Sequence, residues 1–214
     1  MTIADVVNQL KYGELQSIAA KDDNIAITSY INLAVVALYG EFNLKSSEVL
    51  IDLLDNVTEY QLPDDVMNIT AVYNEIGVEL PLDDETNILS VYQPSYDTLQ
   101  HPYPVTGNTI SVIYAVAPVF LIYVDTASLT LRVPIPPQLL EPLLHYIGYR
   151  AHGAMNGEIK AENNTHYIRY IASVKRIKDL GLVKNHIAPA GVNKAEAIDE
   201  DEIDYTVIND ETQS

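Results

Sequence analysis

The chain contains no cysteine, which excludes disulfides, thiolate zinc sites and cysteine nucleophiles. Tryptophan is absent and phenylalanine occurs twice, against fifteen tyrosines. The aromatic surface is therefore amphipathic, suited to wet contacts as much as to a dry core. Basic residues are scarce: 12 Lys and Arg face 30 Asp and Glu, a net charge of −18 in 214 residues. That is the wrong sign for a chain that grips nucleic acid through its phosphates. The longest apolar runs, Ile31–Tyr39 and Ala115–Val119 with Leu121–Val124, fall well short of the ~20 residues that span a bilayer, so no membrane partner is expected. The first residues, MTIADVVNQLKYGE, have neither a basic start nor a signal-type apolar block, so export is not expected. No glycine-rich phosphate loop or internal repeat is present. With 48% hydrophobic residues, the chain can still bury a core.

The charge is distributed in blocks. Residues 1–46 carry three basic and five acidic groups, and residues 47–136 carry one basic and thirteen acidic groups. Residues 137–194 reverse the sign, with eight basic and four acidic groups, and 195–214 hold eight acids and no base. Like charges packed together cost stability unless something uses them, so separate surfaces with separate partners are expected.

Hydrophobic period divides the chain in the same places. Thr2, three positions before Asp5, opens a helix carrying Ile3, Val6, Val7 and Leu10. Asp22-Asp23-Asn24 offers a turn and a cap for a second helix with Ile27, Ile31, Ala34, Val35 and Leu38, ending near Gly40. From Ser47 to Pro136, short stretches (VLIDLL, TEYQL, ITAVYNEIG, ILSVYQ, TISVIYAV, TLRVPI) alternate with turn residues, the strand signal. Helix returns at Pro136-Pro137 with Leu139, Leu143, Ile147 and Ala151, stopping at Asn156-Gly157. Asn163-Asn164-Thr165 caps a last helix that runs to Gly181. The expected fold class is α+β. A helical bundle from residues 1–46 and 137–182 carries an inserted antiparallel β subdomain, 47–136, and an extended acidic C-terminal arm, 183–214.

Chemistry is hard to find. His145 and His152 stand seven apart on one helix, beyond the i, i+4 spacing at which two imidazoles hold one metal. His166 and His186 have no local carboxylate in a ligand pattern, and His101 lies in a proline-flanked loop. All five are expected to be packing or interface histidines. Tyr146, Tyr149, Tyr167 and Tyr170 are expected to pack the two late helices together, with an intersubunit contact as the alternative. No Gly-x-Ser-x-Gly elbow or triad appears, and among so many acids a carboxylate pair carries no signal. No enzyme, cofactor or metal site is expected.

The segments VPIPPQLLEPLLHYIGYRAHGAMNGE and NNTHYIRYIASVKRIKDLG resemble the helical core of head-to-tail adaptor proteins of tailed, especially short-tailed, bacteriophages. The shared pattern is a proline- and leucine-rich start, Tyr149-Arg150-Ala151, a small-residue break, an Asn-rich cap, an aromatic-rich helix and a basic end before glycine. An opening helical pair and Tyr60-Gln61-Leu62-Pro63 in a β-rich insertion are also similar. The resemblance implies a ring, twelvefold in most such proteins, between the portal and the downstream tail or nozzle protein. DNA passes through its centre without sequence-specific binding. It places the protein in the virion neck after assembly in the host cytoplasm, and it implies a C-terminal arm that docks on the portal.

The residues themselves accord with such a role. An acidic lumen repels the duplex and keeps it mobile. A ring needs two unlike faces per subunit, which a basic helical region beside acidic ones can supply. Ring contacts are expected at Arg150, Arg169, Lys175 and Arg176. Portal docking is expected at Ile198, Asp199, Glu200, Asp201, Glu202, Ile203, Asp204, Tyr205, Val207 and Ile208, where β-branched residues are too many for a solvating tail. The alternative is an acidic DNA mimic that inhibits a DNA-binding protein, against which stands the basic last helix.

Overall fold

Thr2 and Asp5 cap the first helix reciprocally. The Asp5 N–H donates to Oγ1 of Thr2 at 3.3 Å and the Thr2 N–H to Oδ2 of Asp5 at 2.8 Å. These bonds favour the ionised form and hold the Asp5 carboxyl below its usual range. The computed structural model describes residues 1–18, 22–156 and 164–183. Helix α1 (Ile3–Tyr12) buries Ile3, Val6, Val7 and Leu10. It breaks at Gly13, where a Cβ would come 2.9 Å from the Gln9 carbonyl oxygen.

Helix α2 (Asn24–Phe42) starts at Asp23, whose Oδ1 accepts from the N–H groups of Ile25 and Ala26, both at 3.0 Å. It runs past Gly40, the expected stop, and ends at Asn43 in the left-handed region, with φ 45. Gly40 is exposed with open space at its Cβ position, so it weakens the helix by ~1 kcal/mol without forcing a break. By length and composition α2 could cross a bilayer, although no uninterrupted apolar run within it is that long. Here Ile27, Ile31, Ala34, Val35 and Leu38 of that helix lie in the protein core.

Seven strands follow: β1 (Ser46–Asp52), β2 (Glu59–Gln61), β3 (Val66–Tyr73), β4 (Glu79–Leu80), β5 (Tyr92–Ser95), β6 (Thr98–Gln100) and β7 (Thr109–Val116). They form two antiparallel sheets, ordered β1-β7-β3-β4 and β2-β6-β5. Ile51, Val72, Ile110 and Val112 from the first sheet share one hydrophobic cluster with Tyr60 and Leu99 from the second. The protein is α+β, as its sequence pattern indicates.

Two expected strands differ. In ILSVYQ the strand begins only at Tyr92, because Asn87 turns the chain. Its Oδ1 accepts from the Leu89 N–H and its carbonyl from the Ser90 N–H, both at 3.0 Å. TLRVPI makes no strand either. A 3-10 turn occupies Thr126–Thr130, and Pro134 and Pro136 cannot donate to a ladder. The segment instead crosses the start of α1, with Ile3 N–H to the Leu131 carbonyl at 2.9 Å and Val133 N–H to the Met1 carbonyl at 3.1 Å.

A 3-10 turn at Pro137–Leu139 leads into α3 (Leu140–Asn156), and Asn164 caps α4 (Thr165–Asp179) through the N–H groups of His166 and Tyr167. Helix α3 packs against α4, α2 and α1. Leu10, Ile31, Leu38, Leu143, Ile147, Val174 and Ile177 bring the four α-helices of the described residues into a second hydrophobic cluster. Full burial of such side chains contributes ~1.5–3 kcal/mol each.

Candidate functional site

The expected ring-contact cations lie on exposed positions. Arg169 and Arg176 share one row of α4, seven residues apart, Lys175 stands beside them, and Arg150 is on α3. Arg150, Arg169 and Lys175 form no ion pair among the described residues, and Arg176 reaches Glu141 only at 3.9 Å. Lys178, by contrast, is engaged within the fold. Its Nζ donates to Oε2 of Glu41 at 2.5 Å and lies 5.6 Å from the Phe42 ring centre. The portal-docking residues, Ile198 through Ile208, and His186 lie outside the described residues.

The acids of the middle block divide in two. Asp84 accepts from Thr86, and Asp97 from Ser95, Gln61 and Thr98, bonds that build turns and lower both carboxyl pKa values. Asp64, Asp65, Glu59, Glu79 and Glu85 are exposed and without an ion pair among the described residues. Their field is uncompensated locally.

An extended apolar strap, residues 117–124, starts at Asp65, whose carbonyl accepts from the Ala117 N–H at 2.7 Å. Leu121 packs on the helical cluster, while Phe120, Ile122 and Val124 are 62%, 70% and 79% exposed. The four tyrosines behave as expected of helix packing. Tyr146 meets Tyr170 edge-on with centroids 5.1 Å apart, and Tyr149 meets Tyr167 at 4.9 Å, across the α3–α4 seam. Burial pushes the Tyr170 hydroxyl pKa upward.

Three of the five histidines converge on Glu14, in the turn after Gly13. Its Oε1 lies 3.0 Å from Nδ1 of His145, and its Oε2 lies 2.6 Å from Nδ1 of His166. The Glu14 carbonyl, which can only accept, is 2.9 Å from Nε2 of His152, so that nitrogen carries the proton. The His152 ring stacks on His166 at 4.7 Å and 14°. Gly148 makes room, since a Cβ there would stand 2.8 Å from Nδ1 of His166. Burial lowers the His166 pKa, and Glu14 opposes that shift. Glu14, His145 and His166 each offer one donor atom, a carboxylate oxygen or an imidazole nitrogen, within 4.8 Å of the other two. Sequence spacing missed this grouping, because the ligand atoms come from a turn and two helices. The one local signal is Gly148, mid-helix on the face of His145 and His152, where a neighbour must approach closely.

A basic helix row, an acidic surface without ion pairs among the described residues and an exposed apolar strap thus lie on one chain. The chain belongs to the SU10 adaptor protein family, whose pattern it matches over residues 1–186. The resemblance to head-to-tail adaptors thus stands at the level of the family. Among solved structures, the chain is similar to one described as the neck of an empty GTA particle computed with C6 symmetry. Identity is 14%, 87% of this chain and 91% of that chain are covered, and the TM-score is 0.33. No curated protein matches.

Proposed function

We propose that the protein forms a ring of twelve subunits at the head–tail junction of a short-tailed phage particle. The ring joins the portal to the downstream tail or nozzle protein while DNA passes through. The match to an adaptor family over residues 1–186 is the observation that carries this reading. Helices from 1–46 and 137–182 form the ring-building core, and 47–136 is the inserted subdomain whose exposed acids face the channel. Head-to-tail contacts pair unlike faces, and Arg150, Arg169 and Lys175, without an ion pair among the described residues, give with Arg176 one face that an acidic surface of the next copy complements. Exposed pairs contribute only ~0–1 kcal/mol each, so repetition around the ring supplies the effect.

The arm, 183–214, docks on the portal. Asp199, Glu200, Asp201, Glu202 and Asp204 steer it, and Ile198, Ile203, Tyr205, Val207 and Ile208 supply most of the affinity. Electron micrographs of the chain mixed with portal-bearing heads test the reading. Rings on the portal vertex are expected, and a truncation after Lys184 should remain folded yet no longer attach. A small monomer or dimer that ignores the heads and blocks a DNA-binding enzyme would favour the mimic instead.

A further inference from the structure

We propose that Glu14, His145 and His166 form a binding site for one divalent transition-metal ion, zinc by its chemistry, that ties the α1–α2 turn to α3 and α4. Two imidazole nitrogens and a carboxylate are a donor set that zinc takes in four-coordinate sites, with water in the fourth position. At metal–ligand distances of ~2.0–2.2 Å, tetrahedral donors stand ~3.3–3.5 Å apart. The observed 3.0 and 2.6 Å contacts are shorter than that spacing, and one donor atom from each of the three residues lies within 4.8 Å of the others, so side-chain adjustments of under about 1 Å at the Glu14 carboxylate open the shell to an ion.

Three further features point to a cation at this place. First, Nδ1 of His166 is buried and makes no hydrogen bond of acceptable geometry, although Oε2 of Glu14 is 2.6 Å away. The carboxylate lies off the ring's lone-pair axis, which leaves that axis for another partner. Second, Gly148 lets Glu14 and His166 approach one another, since a Cβ there would stand 2.8 Å from Nδ1 of His166 and 3.3 Å from Cβ of Glu14. Third, a carboxylate stands on the far side of the His145 ring, where a hydrogen bond orients metal-bound imidazoles, although it must move closer to make one. Nε2 of His145 faces Oε1 of Glu141 at 3.9 Å, and His152 holds the Glu14 backbone while stacking on the His166 ring. An open cleft of about 320 Å³, lined in part by Gln9, Pro137, Glu141 and Leu144, gives solvent ions a route to Glu14 and His145. Magnesium and calcium, which favour all-oxygen shells, fit this set poorly.

Chelator-treated full-length chain titrated with zinc chloride should bind one ion per chain and melt at higher temperature, while magnesium chloride leaves its melting unchanged. Cobalt substitution should give the intense visible bands of a four-coordinate site. Glu14→Gln and His166→Gln, each checked for folding by circular dichroism, should weaken zinc at least tenfold. His152→Gln, which alters only support, should weaken it less. Binding that survives both ligand substitutions would overturn the proposal by placing the metal elsewhere, in the acidic arm for instance. A pale six-coordinate cobalt spectrum, or no saturable zinc binding, would overturn it without reference to any variant.

Discussion

Asn32 pairs with Leu121 as a strand neighbour would. Its Nδ2 donates to the Leu121 carbonyl at 2.8 Å, and its Oδ1 accepts from the Leu121 N–H at 2.9 Å. One side chain of α2 thus satisfies both backbone groups of a strap residue that no strand covers. Asn32→Ala should cost about 1–3 kcal/mol, because both partners lose their bonds in a part-buried place. Denaturant unfolding measures the loss, and faster hydrogen exchange at Leu121 would locate it. An unchanged midpoint would mean that packing of Leu121 alone holds the strap.

Gly148 and Gly40 should respond to alanine with opposite signs. Both are helical, so propensity alone favours alanine by ~1 kcal/mol. At Gly40 the Cβ position is open, and Gly40→Ala should stabilise by that amount. At Gly148 the new methyl would meet Nδ1 of His166 at 2.8 Å. Overpacking there should cost ~1–3 kcal/mol and reverse the sign. Equal melting temperatures for the two variants would contradict the close approach.

His101 should make stability depend on pH. Burial holds its pKa below the ordinary 6.5, against a smaller opposing pull from Glu75. Between the folded and unfolded pKa values the unfolded chain binds more protons, so stability rises with pH there. The contribution is fully present above 6.5 and is lost as pH falls through the depressed value. His101→Gln should flatten the unfolding profile across that window, read by urea denaturation at successive pH values. A slope as steep as the parent's would assign the dependence to other groups.

Reversing Lys175 and Arg176 to Glu should leave the fold within ~0.5 kcal/mol of the parent, because both are exposed. Ring assembly should weaken and fail first at high salt, where exposed charges are screened. Ile122→Lys, at a position 70% exposed, tests in the same way whether the apolar strap also takes part in ring contacts. Light scattering reads both. Rings that form unaltered in either variant would place those residues in solvent.

Most helix ends were legible because their causes are local. Thr2 with Asp5, Asp23, and Asn164 each satisfy N–H groups two or three residues away, and nothing distant has to be known. The same holds for the apolar stripes, which follow from helical period. Gly40 misled because a single exposed glycine is a small penalty inside a well-packed helix. TLRVPI misled because its alternation is genuine while its prolines remove the donors a ladder needs.

The sequence by itself determined the α+β division of elements, the caps, the blocks of charge and the absence of thiol chemistry, since these depend on composition and on neighbours along the chain. Only the tertiary structure decided that Glu14 meets His145 and His166, that Asn32 holds Leu121, and that residues 130–135 cross the start of α1. These contacts join positions far apart in the chain. Which of them form is set by how four helices bury one hydrophobic cluster, a choice made by shape and packing that no local spacing encodes.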